Sequence, residues 1–217
     1  MNASVFHLPL HRVTDPDAAG VADWYRARHR GAAGVALWVF IAVATSLFGL
    51  FLTAYLMRMD GSDWSTIALP WQLWLSSAWL VASSVLLQWA VWAARQSRWG
   101  QARGLLLAGG VCALTFLAVQ LWAWQVLLNL QVMPAGNPAA SFFYLLTAMH
   151  GLHVLGGLVG WVWTARVTWR HADPLWVRWL MALCARYWHF LLAVWLLLFA
   201  TLAGLTPQVV RYLCGSG

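Results

Sequence analysis

Residues 141–167 read SFFYLLTAMHGLHVLGGLVGWVWTARV, and no charge interrupts them before Arg166. As an α-helix this stretch is about 40 Å long at 1.5 Å per residue, more than the ~30 Å of a bilayer's hydrocarbon core. A helix on the surface of a soluble protein sets an apolar stripe against a charged face. Here the apolar character runs all round, so the stretch reads as a transmembrane helix. Asn137-Pro138 before it and Asp173-Pro174 after it carry turn and helix-start chemistry.

Working outward, four further apolar blocks have similar length. Helices are predicted over about 33–57, 71–94, 105–130, 141–167 and 174–205. The last block exceeds the hydrocarbon thickness. Its first part, with Trp176, Arg178 and Trp179, is therefore expected at the interface, with the crossing beginning near Arg186. The fold class is all-α: a polytopic membrane helix bundle of five transmembrane helices. Its expected parts are a polar, irregular N-terminal arm over 1–31, the bundle over 32–206 and a short tail over 207–217.

Composition agrees. Of 217 residues, 62% are hydrophobic and 9% charged, against roughly 25% charged in soluble domains. The 18 Trp suit the membrane interface. The net charge of +7 comes entirely from Arg, with no Lys. These Arg lie between apolar blocks, which points to topology rather than to nucleic acid. Cys112, Cys184 and Cys214 show no CxxC spacing, so neither a disulfide framework nor a zinc site is expected. Met1 to Arg30 shows no apolar signal-peptide region followed by a cleavage site.

Arg placement gives the expected orientation. With five crossings, Arg12, Arg26, Arg28, Arg30, Arg95, Arg98, Arg103, Arg166, Arg170, Arg178 and Arg186 fall on one side. Only Arg58 and Arg211 fall on the other. The positive-inside rule then puts the N-terminus in the cytoplasm and the C-terminus outside.

Few polar groups remain at membrane depth to carry chemistry. The expected spans contain no Asp and no Glu; their histidines are His150, His153 and His189. His150 and His153 are three apart and share a helical face. They could ligate haem or a metal, or they could hydrogen-bond across helices as packing groups, since a bare polar group in hydrocarbon is costly. Gly156 and Gly160 form a GxxxG pair, and Gly157 lies beside it. Such spacing permits close helix approach and suggests that this helix is packed rather than lipid-facing. Tyr187-Trp188-His189-Phe190 near the start of the last crossing reads either as a belt of interfacial aromatics or, with Arg186, as a lipid contact.

Two strings identify a family. Phe142-Phe143, Met149-His150-Gly151-Leu152-His153-Val154 and then Gly156-Gly157 resemble one segment of subunit III of haem–copper cytochrome c oxidases. Tyr187-Trp188-His189-Phe190 followed by Val194-Trp195-Leu196 resembles a second, in the same order. Weaker likenesses are Leu37-Trp38-Val39-Phe40 and the pair Gln120 and Trp124. The resemblance covers about 31–205 and corresponds to the last five of the family's seven helices. Three departures stand out. The family has a Glu near the position of Ala44, another at that of Ala123, and in its mitochondrial type an acidic residue at that of Leu192.

The resemblance implies a non-catalytic accessory subunit of a respiratory terminal oxidase in the bacterial cytoplasmic (inner) membrane. It implies no haem or copper on this chain, both being held in partner subunits, and contact with subunit I, with subunit II in the same complex, and with phospholipid. The residues it brings forward are structural: His150, His153, Gly156, Gly157, Gly160 and His189, with Arg186, Tyr187 and Trp188 toward lipid. The missing carboxylates argue against proton handling. Two alternatives stay open: the accessory subunit of a nitric-oxide reductase and an independent haem-binding membrane protein. A transporter is disfavoured, because no helix carries a charge pair and no inverted repeat is apparent.

The orientation is directly testable. A reporter fused after Gly217 reads as external if the Arg asymmetry sets five crossings, and a cytoplasmic signal contradicts it.

Overall fold

The fold is that of a computed structural model, which describes residues 16–59, 61, 64–65, 67–133, 135–170 and 173–204, with the backbone alone for 16–30. The first fifteen residues of the expected arm and the expected tail over 207–217, with Arg211 and Cys214, lie outside the described residues. Five helices follow one another: α1 (Pro16–Arg58), α2 (Gln72–Arg95), α3 (Trp99–Asn129), α4 (Pro138–Trp169) and α5 (Pro174–Gly204). Each contains a stretch long and apolar enough to span a membrane. Among the described residues there is no strand.

Two boundaries differ from expectation. Residues 16–30, predicted as part of an irregular arm, are helical and continuous with the first crossing. The reason is local. Pro16 is tolerated in a first helical turn, and Ala18, Ala19, Ala22 and Ala27 favour helix, while the Arg and Asp among them conceal the segment from a hydropathy reading. Likewise α3 begins at Trp99 rather than Leu105. The described residues form two units divided within α1, the first ending at Val39 and the second opening at Phe40.

The helix ends are built from specific caps. Asn137 Oδ1 accepts from the Ala139 backbone N–H at 3.0 Å, with Pro138 in the first turn of α4. Asp173 Oδ1 accepts from Leu175 N–H at 3.0 Å and opens α5 ahead of Pro174. Both α2 and α3 close by the same turn without a glycine. Ser97 (φ 61°) and Gln131 (φ 60°) adopt the left-handed conformation. Arg98 N–H then reaches Ala93 O at 2.9 Å, and Val132 N–H reaches Leu127 O at 3.0 Å. This satisfies carbonyls that the helix leaves free and turns the chain back within a few residues.

In the second unit α2 packs on α3 and α5, and α4 packs on α3 and α5, which closes a four-helix ring. The part of α1 from Phe40 onward lies against α4 and α5, with Phe48 packed on Leu146, Val194 and Leu198. Lipid is as apolar as leucine, so helices associate here by close packing and hydrogen bonds rather than by the hydrophobic effect. Trp161 of α4 lies over Gly110 of α3 where a side chain would stand, and its Nε1–H donates to Leu106 O at 2.8 Å. Gly157 of α4 does the same for α5, since a Cβ there would lie 2.8 Å from the Tyr187 ring and 2.9 Å from the Trp188 ring. The GxxxG expectation needs correcting accordingly. A Cβ at Gly156 or Gly160 would meet nothing within 4 Å. The close approaches fall at Gly157 and Gly110, because the helical period turns Gly156 and Gly160 outward.

Filling either notch should disrupt the ring. Gly110→Leu and Gly157→Leu are expected to cost about 1–3 kcal/mol by overpacking, read as lower melting temperatures in detergent. Gly156→Leu and Gly160→Leu should leave the melting of the chain unchanged.

Candidate functional site

The three intramembrane histidines do not converge. His150 is completely buried. Its ring faces Trp195 at 5.1 Å, Phe116 edge-on at 5.8 Å and Phe48 at 6.4 Å between centroids. Neither of its ring nitrogens has a hydrogen-bond partner. Rings from α1, α3 and α5 thus occupy the space around the imidazole that a porphyrin would need. His153, one turn on, turns toward α1 instead. It lies 5.2 Å from the Phe48 ring and 5.8 Å from Phe40, and its Nδ1 lies 2.7 Å from Met149 O of its own helix. The Tyr187 hydroxyl donates to His153 O at 2.9 Å, which ties α5 to α4.

His189 faces α2. Its Nδ1 lies 2.6 Å from Ser84 Oγ, and its Nε2 lies 3.0 Å from Gln88 Oε1. Unlike His150, it is exposed on the outside of the bundle. Among the described residues no group of three His, Cys, Asp or Glu side chains is placed to hold a metal.

The segment expected to meet lipid divides by helical period. Arg186 is exposed, Tyr187 is half-buried between helices, and Trp188 is fully buried against Gly157. Trp188 is therefore a core residue and not a lipid contact. It lies on the inward stripe of Cys184, Ala185, Leu191 and Trp195, while Arg186 and His189 point the other way.

Several interior polar groups escaped the sequence reading. Ser76 Oγ lies 3.2 Å from Gln120 Oε1, and Trp195 Nε1–H donates to Ser77 Oγ at 2.8 Å. Ser83 Oγ–H donates to Gly109 O at 2.8 Å, and Trp124 Nε1–H donates to Thr147 Oγ1 at 3.2 Å. These bonds join every neighbouring pair of helices around α2 and α3. The available signal was the pair Ser76-Ser77 repeated one heptad later as Ser83-Ser84. At this spacing the four hydroxyls share one face of α2.

At one end of the bundle two arginines act as clasps. Arg103 donates to Thr168 O at 3.2 Å with its guanidinium 5.8 Å from the Trp169 ring. Arg178 donates to Ser97 Oγ at 2.9 Å with its guanidinium 5.6 Å from the Trp99 ring. At the other end a cavity of about 410 Å³ is lined by Ser65, Ile67, Gln131, Met133 and Asn137 among others, and the Asn137 amide donates to Ser65 O at 2.7 Å. The positions at which the resembling family carries Glu are closed here. Ala44 is 2% exposed and Ala123 is 0% exposed. A carboxylate at either place would be buried and would need a partner there.

No family model matches the chain. Curated relatives do. The "Probable cytochrome c oxidase subunit 3" of Nocardia farcinica is 31% identical over 171 residues, covering 71% of this chain and 78% of that protein. The protein of the same name from Mycobacterium leprae is 28% identical over 174 residues, covering 78% and 85%. The "Probable quinol oxidase subunit 3" of Staphylococcus haemolyticus is 25% identical over 175 residues, covering 75% and 83%. The ordered strings around His150 and His189, the five membrane-length helices and these relatives agree: the chain belongs to the family of subunit 3 of cytochrome c and quinol oxidases.

Proposed function

We propose that this chain is the accessory subunit 3 of a haem–copper terminal oxidase, stabilising the catalytic subunit in the bacterial cytoplasmic membrane without redox chemistry of its own. The observation that carries this reading is the likeness to oxidase subunits 3 along most of the chain. The interior supports it. His150 and His153 share the Phe48 ring but otherwise take different partners, and His189 faces α2, so the three form no common ligand set. No carboxylate lies within the five spans to relay protons. Haem and copper belong in this reading to subunits I and II. The relatives' names include both cytochrome c and quinol oxidases, so the electron donor is a property of those other subunits. The N-terminus is assigned to the cytoplasm on the Arg asymmetry.

The role of His150 tests the division between packing and ligation. As a packing group in an aromatic enclosure, it should tolerate Phe, which keeps the shape and removes two unpaired buried nitrogens. His150→Ala should lower assembly by opening a cavity, at about 2–4 kcal/mol. Both variants should give normal haem spectra in the complex that forms. Deletion of the chain should leave haem content and initial turnover in place while activity decays faster during sustained turnover. Loss of one haem per complex in either variant would overturn the proposal.

A further inference from the structure

The histidine that binds α2 to α5 lies on the wrong side of the bundle for a packing group. Intramembrane polar residues ordinarily face the bundle interior or a water-filled cavity. His150 and Gln120 do so and are buried. His189 is exposed and Gln88 is half-buried, on the outer surface of the groove between α2 and α5. Their depth follows from α2. Ser84 is eleven residues from Arg95 and Gln88 seven, or about 16 and 10 Å along the axis. Measured from Arg95 the polar group lies within the span of α2, and on α5 the exposed Arg186 precedes His189 by one turn.

Its hydrogen bonding leaves something over. With Gln88 Oε1 as acceptor, His189 Nε2 carries the proton, and Nδ1 accepts from the Ser84 hydroxyl. The Gln88 amide N–H groups then make no hydrogen bond among the described residues. Two donors are therefore presented at the groove surface, where acyl chains offer no acceptor. On the outward stripe of α5 that starts at His189, Ala193 and Ala200 leave room for a neighbour on either side of the exposed Leu196. Only helices and closed barrels cross lipid with their backbones satisfied, and a groove one helix wide takes a helix.

We propose that the α2–α5 groove is the face on which this chain meets the oxidase. Its occupant is a transmembrane helix of another subunit bearing an acceptor side chain (hydroxyl, amide or carboxylate) at the depth of Gln88. The proposal rests on the accessory-subunit reading above and assigns that role a surface. The opposite helix of the ring, α4, exposes Leu152 and Val159 beside the outward Gly156 and Gly160 and presents no polar side chain at these positions.

The test uses the complex purified from membranes, with a photoreactive benzophenone side chain placed at Val85 or Ala193 in the groove, or at Leu152 or Val159 across the ring. Irradiation is expected to join this chain to another oxidase subunit from Val85 and Ala193 and not from Leu152 or Val159. Gln88→Leu should leave the amount of chain in the membrane unchanged and reduce the fraction that co-purifies with the oxidase about tenfold. Gln88→Asn, which keeps the amide, should retain more of it than Gln88→Leu. Adducts from the groove to lipid alone, or to a second copy of this chain, overturn the proposal. So do subunit adducts from Leu152 and Val159 in place of the groove. If the wild-type chain is recovered from membranes without any oxidase subunit, the accessory reading itself falls, an outcome distinct from adducts on the wrong face.

Discussion

Inside a bilayer a polar group must find its partner within the protein, because the solvent supplies none. Much of this bundle follows from that constraint. The backbone is satisfied by helix, and the turns at Ser97 and Gln131 return the last carbonyls of α2 and α3 to donors a few residues on. The side chains are satisfied in pairs across helices: Ser76 with Gln120, Ser77 with Trp195, Ser83 with the Gly109 carbonyl, Thr147 with Trp124. Each pair is worth only about 0.6–2 kcal/mol in a membrane. Their effect is to set register, since a helix that slides by one turn leaves both members of a pair bare.

Packing supplies what the hydrophobic effect would supply in water. The two large notches, Trp161 over Gly110 and the Tyr187-Trp188 pair over Gly157, lie one turn apart on α4 and connect it to α3 and α5. A tryptophan brings a wide flat surface, and a glycine lets the neighbouring backbone come up to it, so many weak contacts form at once. His150 sits in a second aromatic layer about 10 Å further along α4, with Phe116 and Trp195, and is shaped like its neighbours. Its cost is two nitrogens without partners. Here the demand for close packing has prevailed over the demand for polar satisfaction, at a place where three rings from three helices meet.

The reach of the sequence can be followed element by element. Hydropathy finds the apolar cores of all five helices, because length and composition alone decide a crossing. It does not find residues 16–30 of α1, where charged residues mask good helix formers. Nor does it reveal which face of a helix turns inward, because a helix that is apolar all round has no moment to read. That is why the GxxxG pair at Gly156 and Gly160 pointed to the wrong glycines, and why Trp188 looked like a belt residue. The helix turns after α2 and α3 were equally hidden, since Ser and Gln occupy the left-handed positions where glycine is the usual signal. The histidines were legible as residues, and their three separate settings were not, since these depend on which helices are neighbours.

The substitutions that separate this chain from its family's pattern belong to the same logic. A buried carboxylate is retained only where it is paired, hydrogen-bonded or used. Ala44 and Ala123 are buried, and the side chains that pair across helices at depth are neutral hydroxyl, amide and indole groups together with imidazole. An interior of this kind holds helices in register and offers no chain of ionisable groups along which a proton could move. A subunit so built contributes through its surfaces. On the described surface of α2 and α5, the exposed Val85, Trp89 and Arg186 lie within a turn of the polar group of His189 and Gln88 along their own helices. Selection against bare polar atoms in lipid would remove such a group unless something covers it, so its presence points to the assembled complex as the state in which this chain is complete.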